Sequence, residues 1–149
     1  SLGTLHDQAG DKRQAKALYS RALEIDPDYV PALNNLAYLF ADNYGDLNEA
    51  SRLAARALRL RPADGGIMDT LGYVLIRQER FAEALPYLQK AARMLPAEPL
   101  VQMHLGQAYL GVQDIEKARE ALQKALSGGI EEVQARQVRS LLEQLSTKG

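Results

Sequence analysis

Leucine followed by a small residue recurs at a nearly fixed interval in this chain: Leu2-Gly3, Leu36-Ala37, Leu71-Gly72 and Leu105-Gly106, spaced by 34, 35 and 34 residues. A period of that length is one supersecondary unit, too small to bury its apolar face alone, so successive units must stack. The register holds at other positions. Ala15, Ala50, Ala84 and Ala118 keep the spacing, as do Ala22, Ala57, Ala91 and Ala125, and Pro27, Pro62 and Pro96 close three units. The one extra residue falls between Phe40 and Gly45, in the turn of the second unit.

Inside the units, apolar residues recur three and four apart, as in Leu85, Leu88, Ala92 and Leu95 or Val101, Leu105, Ala108 and Val112. That spacing predicts amphipathic helices, and no segment alternates as a strand would. The expected helices span 1–9, 12–25, 30–42, 47–60, 66–78, 81–94, 99–112, 115–127 and 131–146. Gly10-Asp11 and Gly45-Asp46 each combine a residue suited to a left-handed helix exit with an N-capping aspartate. Glu49 stands three residues after Asp46, as in a capping box, and Asp114 caps the last hairpin. Each proline at 27, 62 and 96 lacks the amide hydrogen of a continuing helix, so it ends or follows a second helix. Gly72 and Ala84 are expected to mark the close crossing within a unit, and Ala91 to admit the next unit.

The order Leu-Gly, an aromatic three residues later, alanine, a large apolar residue, alanine and proline resembles the tetratricopeptide repeat (TPR) family. Unit four carries it as Leu105-Gly106, Tyr109, Ala118, Leu122, Ala125, and unit three as Leu71-Gly72, Leu75, Ala84, Leu88, Ala91, Pro96. The chain departs from that pattern at Leu33, Met68 and Gln102, where tryptophan often stands, at His6, and at Ile130 in place of proline. The resemblance implies an all-α fold, an α-α superhelix (TPR solenoid) of about four helical hairpins plus a C-terminal capping helix. A single domain, 1–149, then divides into units at about 1–29, 30–64, 65–98 and 99–130, with the capping helix over 131–146. Val138, Leu141, Leu142 and Leu145 give that last helix one apolar stripe. The sequence enters unit one at its Leu-Gly, so a fragment of a longer repeat array is expected. Asn34-Asn35-Leu36-Ala37-Tyr38-Leu39, Asp69-Thr70-Leu71-Gly72-Tyr73 and the tail from Leu126 to Leu145 also resemble bacterial multi-repeat TPR proteins of exopolysaccharide export and PEP-CTERM systems.

Composition narrows the function. The formal net charge is -1 with acids and bases evenly distributed, which gives nucleic acid no basic surface to dock on. No apolar run reaches the length of a transmembrane helix, so direct membrane insertion of this segment is not expected. Cysteine is absent, which removes disulfides and thiolate chemistry while fitting a periplasmic or a cytoplasmic location equally. No nucleophile–base–acid set, phosphate loop or metal-ligand cluster is present in the pattern, so neither an enzyme nor a cofactor is expected.

A stack of helical hairpins presents a concave face, and the resemblance implies that first-helix residues line it and hold a protein or peptide. Transferred position by position, the groove set is Thr4 and Asp7 in unit one and Asn34, Asn35, Tyr38 and Asp42 in unit two. Unit three supplies Asp69, Thr70, Tyr73 and Arg77; unit four supplies Met103, His104, Gln107 and Leu110. Asn34 and Asn35 offer a donor and an acceptor each, suited to the backbone of an extended peptide, though a solvated polar surface has the same composition. Tyr38 and Tyr73 fit either aromatic anchors or packing between hairpins. A dicarboxylate clamp is not expected, because Gly66 and Thr70 stand where unit three would need cations. Two rivals remain open: self-association through an uncapped N-terminal edge, and a regulatory portion of a larger enzyme; the basic run Arg52, Arg56, Arg59 and Arg61 fits a phosphate contact or the dipole at a helix C-terminus.

Overall fold

A computed structural model describes the backbone of residues 4–148 and the side chains of residues 10–147. Eight α-helices follow one another: α1 (Thr4–Ile25), α2 (Val30–Leu39), α3 (Leu47–Leu60), α4 (Gly65–Arg77), α5 (Phe81–Met94), α6 (Pro99–Gly111), α7 (Ile115–Ser127) and α8 (Glu132–Lys148). Among the described residues no strand forms. From α2 onward they pair as α2/α3, α4/α5 and α6/α7, each hairpin packing on the next, with α8 on α7. The all-α superhelix read from the period is the observed fold.

Two differences from the sequence reading have local causes. The expected break at Gly10-Asp11 is absent, since α1 runs unbroken through it. A turn breaks helical hydrogen bonds, whereas propagation through Gly10-Asp11 retains one bond per residue. In the second unit, the extra residue is absorbed as a π-helical turn over Phe40–Tyr44, ending on Gly45 with φ 70° and a Gly45 N–H to Phe40 O bond of 2.8 Å. Inserting one residue into a helix widens one turn from four to five residues without redirecting the next helix.

The hairpin turns repeat a left-handed residue at one register position: Gly45, Glu79 (φ 60°) and Gln113 (φ 65°). Only the first is a glycine, so only the first is visible in the sequence as a turn of this kind. At the other two, the backbone is held by bonds that close the helix end, Arg80 N–H to Leu75 O at 2.8 Å and Asp114 N–H to Tyr109 O at 2.9 Å. A Cβ in this conformation costs about 1–2 kcal/mol. Gln113→Gly is therefore expected to raise the midpoint of urea unfolding, and Gly45→Ala to lower it, each by an amount equivalent to about 1 kcal/mol; equal midpoints for all three proteins would contradict the shared turn.

Helix starts follow their caps. Asp46, Asp64 and Asp114 accept the N–H of Glu49, Ile67 and Lys117 respectively. The capping box at Asp46 closes on one side only, because the Glu49 carboxylate instead accepts from Arg52 Nε at 2.7 Å. Asp64 starts α4 one residue earlier than the spacing suggested, which places Gly65-Gly66 in the first helical turn and Gly65 against Met94 Cβ. Arg52 and Arg56 of the basic run are engaged by Glu49 and Asp28, and so serve as surface pairs.

The core runs as a ribbon through the stack. Leu33, Leu36, Leu53, Ile67, Leu71, Leu88 and Leu105 form one continuous cluster, and Met103, Leu122, Ala125, Val138 and Leu145 close it at the α8 end. Ala91 packs with Met68 of its own unit and Val101 of the next, the role its small size suggested. Gly72 meets Leu88, where Ala84 was expected: a Cβ on Gly72 would lie 2.5 Å from the Leu88 Cγ and Cδ2 atoms. Gly106 repeats this against Leu122 at 2.7 Å. In unit two the same two positions are Ala37 and Ala54, both fully buried, so two small side chains stand where unit three sets a glycine against a leucine.

Candidate functional site

An open groove of about 1140 Å³ runs along the first helices. Its floor follows a single register position, the ninth residue of each first helix: Tyr38, Tyr73 and Gln107 line it, and Leu141 of α8 continues the row 34 residues after Gln107. Lys12 of α1 and Asp42 stand at one end; Met103, Leu110, Ile130, Val133 and Leu141 make the other end apolar. Of the sequence-derived set, Tyr38, Asp42, Tyr73, Arg77, Met103, His104, Gln107 and Leu110 are brought together on this surface.

The remaining members are placed elsewhere. Asn35 is exposed, beside a half-buried Asn34 whose Oδ1 has no hydrogen-bond partner among the described residues. Asp69 and Thr70 are buried. The Thr70 hydroxyl turns back on its own helix and donates to Gly66 O at 3.1 Å. The side chains of Thr4 and Asp7 lie outside the described residues, as does that of His6.

The centre of the groove is an aromatic stack. Tyr38 and Tyr73 rings stack with centroids 4.9 Å apart, and Tyr73 stacks in turn on His104 at 4.5 Å and 25°. His104 is 1% exposed and was read in the sequence as groove surface; here it forms the buried end of the stack, with Nδ1 2.9 Å from Asp69 Oδ1. Asp69 and His104 sit one position apart in register on successive units, so their pairing ties unit three to unit four. Burial pushes both tyrosine phenols well above the usual tyrosine range; the neighbouring Tyr73 adds to it for Tyr38, and the Asp42 hydrogen bond for Tyr73. Both are hydroxyl donors at any physiological pH. Tyr73 uses its hydroxyl on Asp42 Oδ1 at 2.7 Å, and Arg77 Nε donates to Ala41 O at 3.0 Å. Ala41 and Asp42 belong to the π-helical turn, so the inserted residue of unit two shapes the groove edge that unit three grips.

Sequence reasoning missed the α8 wall, Gln134, Gln137 and Leu141, because the last helix was read as a cap only. Extending the 34-residue register beyond Gln107 would have found Leu141. Glu98 and Glu131, which lie on connections ahead of α6 and α8, also line the groove and carry no periodic signal. Among the described residues no group of three metal-ligating side chains forms, and no helix is long and apolar enough to cross a membrane.

Tetratricopeptide repeat models match residues 1–29, 18–50 and 70–133. A TPR repeat-containing protein of Pseudomonas aeruginosa is 38% identical over 82 residues, which is 55% of this chain and 14% of that protein. A probable biofilm formation methyltransferase of Pseudomonas putida is 47% identical over 58 residues, 39% of this chain and 13% of its own length. The chain thus spans a small part of these relatives. Among solved structures, a MamA fragment (41-end) from Desulfovibrio magneticus RS-1 is similar with a TM-score of 0.75 and 26% identity over 95% of this chain and 77% of that one.

Proposed function

The chain belongs to the tetratricopeptide repeat family, and on that premise we propose that it is a non-catalytic protein–protein interaction scaffold whose concave groove receives a protein or peptide segment of its partner. The observation that carries this reading is the row Tyr38, Tyr73, Gln107 and Leu141, which presents aromatic, amide and apolar surface in sequence along one open channel. Rigid aromatic side chains supply contact area at small entropic cost, and the intervening polar groups supply orientation. A bacterial envelope or exopolysaccharide-export setting is proposed with it, on the resemblance of the Asn34–Leu39 and Asp69–Tyr73 stretches.

Capture from a bacterial lysate tests the groove. The native chain is expected to retain a specific protein that a Tyr38→Ala, Tyr73→Ala variant of unchanged helical content does not. Identical retention by both forms would move the binding surface off the concave face.

A second reading, self-association, has its own observation. Leu18 and Ile25 lie seven residues apart on one face of α1 and are 68% and 79% exposed, whereas Leu53, the register equivalent of Leu18, is 3% exposed. A mass that rises with concentration and stays constant for Leu18→Gln would support it. The methyltransferase among the relatives supports a third, in which the repeats are the regulatory portion of a larger enzyme.

A further inference from the structure

The groove contains a buried hydrogen-bond acceptor that no described residue satisfies. His104 Nδ1 lies 2.9 Å from the Asp69 carboxylate, which can only accept while ionised, so the pairing puts the imidazole proton on Nδ1. In the neutral imidazole Nε2 is then a lone pair. It is buried in a side chain 1% exposed, it lines the groove, and it has no partner among the described residues. Buried polar atoms are nearly always paired, and one that is not, at the wall of an open channel, is a place for a ligand's donor.

The charge of the channel says which donor. Asp42, Glu79, Glu98 and Glu131 line it against Lys12 and Arg77, and Arg77 already commits its Nε to Ala41 O. An acidic segment would meet a carboxylate excess, and its ionised side chains bring no donor for Nε2; the side chains of a basic segment are complementary to both.

We propose that the partner segment taken up by this groove is basic, an extended peptide whose lysine or arginine N–H groups are directed to the His104 end of the aromatic stack while carboxylates along the walls balance their charge. This rests on the groove being the binding surface and adds the chemistry of its occupant.

Three fluorescently labelled peptides of equal length, rich in lysine and arginine, in glutamate, or in serine and glycine, are titrated with the whole chain and followed by anisotropy. The basic peptide is expected to bind about tenfold more tightly than the neutral one, with affinity falling as ionic strength rises, and the acidic peptide not to bind. Glu98→Gln with Glu131→Gln, both exposed and outside the core, should weaken the basic peptide several-fold. Asp69→Leu with His104→Phe, which keeps a ring in the stack and removes the acceptor, should weaken it by about tenfold. Circular dichroism of each variant separates lost binding from lost fold. Equal or tighter binding of the acidic or neutral peptide, if abolished by Tyr38→Ala, overturns the basic occupant and leaves the groove reading standing. Basic-peptide binding indifferent to Tyr38→Ala and to the glutamate changes overturns both. Failure of all three peptides to bind overturns the basic occupant, and the lysate capture then decides the groove on its own.

Discussion

Leu88→Ala is expected to lower unfolding free energy by about 2–5 kcal/mol, among the largest effects of any single replacement in this chain. Leu88 is fully buried, and it fills the space that Gly72 leaves on the facing helix. Truncation removes its transfer energy and opens a cavity between α4 and α5 that the adjoining leucines fill only in part. Gly72→Ala is expected to cost about 1–3 kcal/mol for the opposite reason, because its Cβ would lie 2.5 Å from the fully buried Leu88 side chain. The combined variant tests the pairing. Unit two already holds alanine at both positions, as Ala37 and Ala54. Gly72→Ala with Leu88→Ala should therefore be less destabilised than the sum of the singles by roughly 0.5–3 kcal/mol, measured by urea unfolding. Strict additivity would mean that the two residues do not share one space.

Asp69→Ala should cost about 1–3 kcal/mol, although the aspartate carries little apolar surface. Its removal leaves the Nδ1–H of a histidine that is 1% exposed without an acceptor, and that desolvated donor bears the penalty. Replacing both partners by apolar groups avoids it. Asp69→Leu with His104→Phe is expected to recover most of the loss, since no buried polar atom of the pair then remains. The control lies in unit two and unit three, where the same register positions are Asn34 and Thr70 and the Thr70 hydroxyl bonds within its own helix; Thr70→Val should be close to neutral. A double variant as unstable as Asp69→Ala would show that the stack with Tyr73, and not the hydrogen bond, holds the interface.

Much of the architecture was legible before any coordinate. The helices at Leu47–Leu60, Phe81–Met94 and Ile115–Ser127 end where the spacing ended them, since each is bounded by a capping or turn residue at its start and by loss of the apolar stripe at its end. The groove row was legible from Tyr38 to Gln107 for the same reason. What escaped depends on conformation that residue type does not announce. Glu79 and Gln113 adopt the left-handed turn that Gly45 advertises, and nothing in their chemistry says so. Gly10-Asp11 advertises a turn that does not form.

By itself, then, the sequence determined the period, the all-α repeat and which residues of each first helix share a face, because these follow from intervals along one chain and from the 3.6-residue helical turn. The tertiary structure alone decided that Gly72 faces Leu88, that Asp69 reaches across to His104 and that α8 walls the groove. Those are contacts between helices, and they depend on the rotation from one hairpin to the next, a quantity that arises only when side chains of several units settle into one another's spaces.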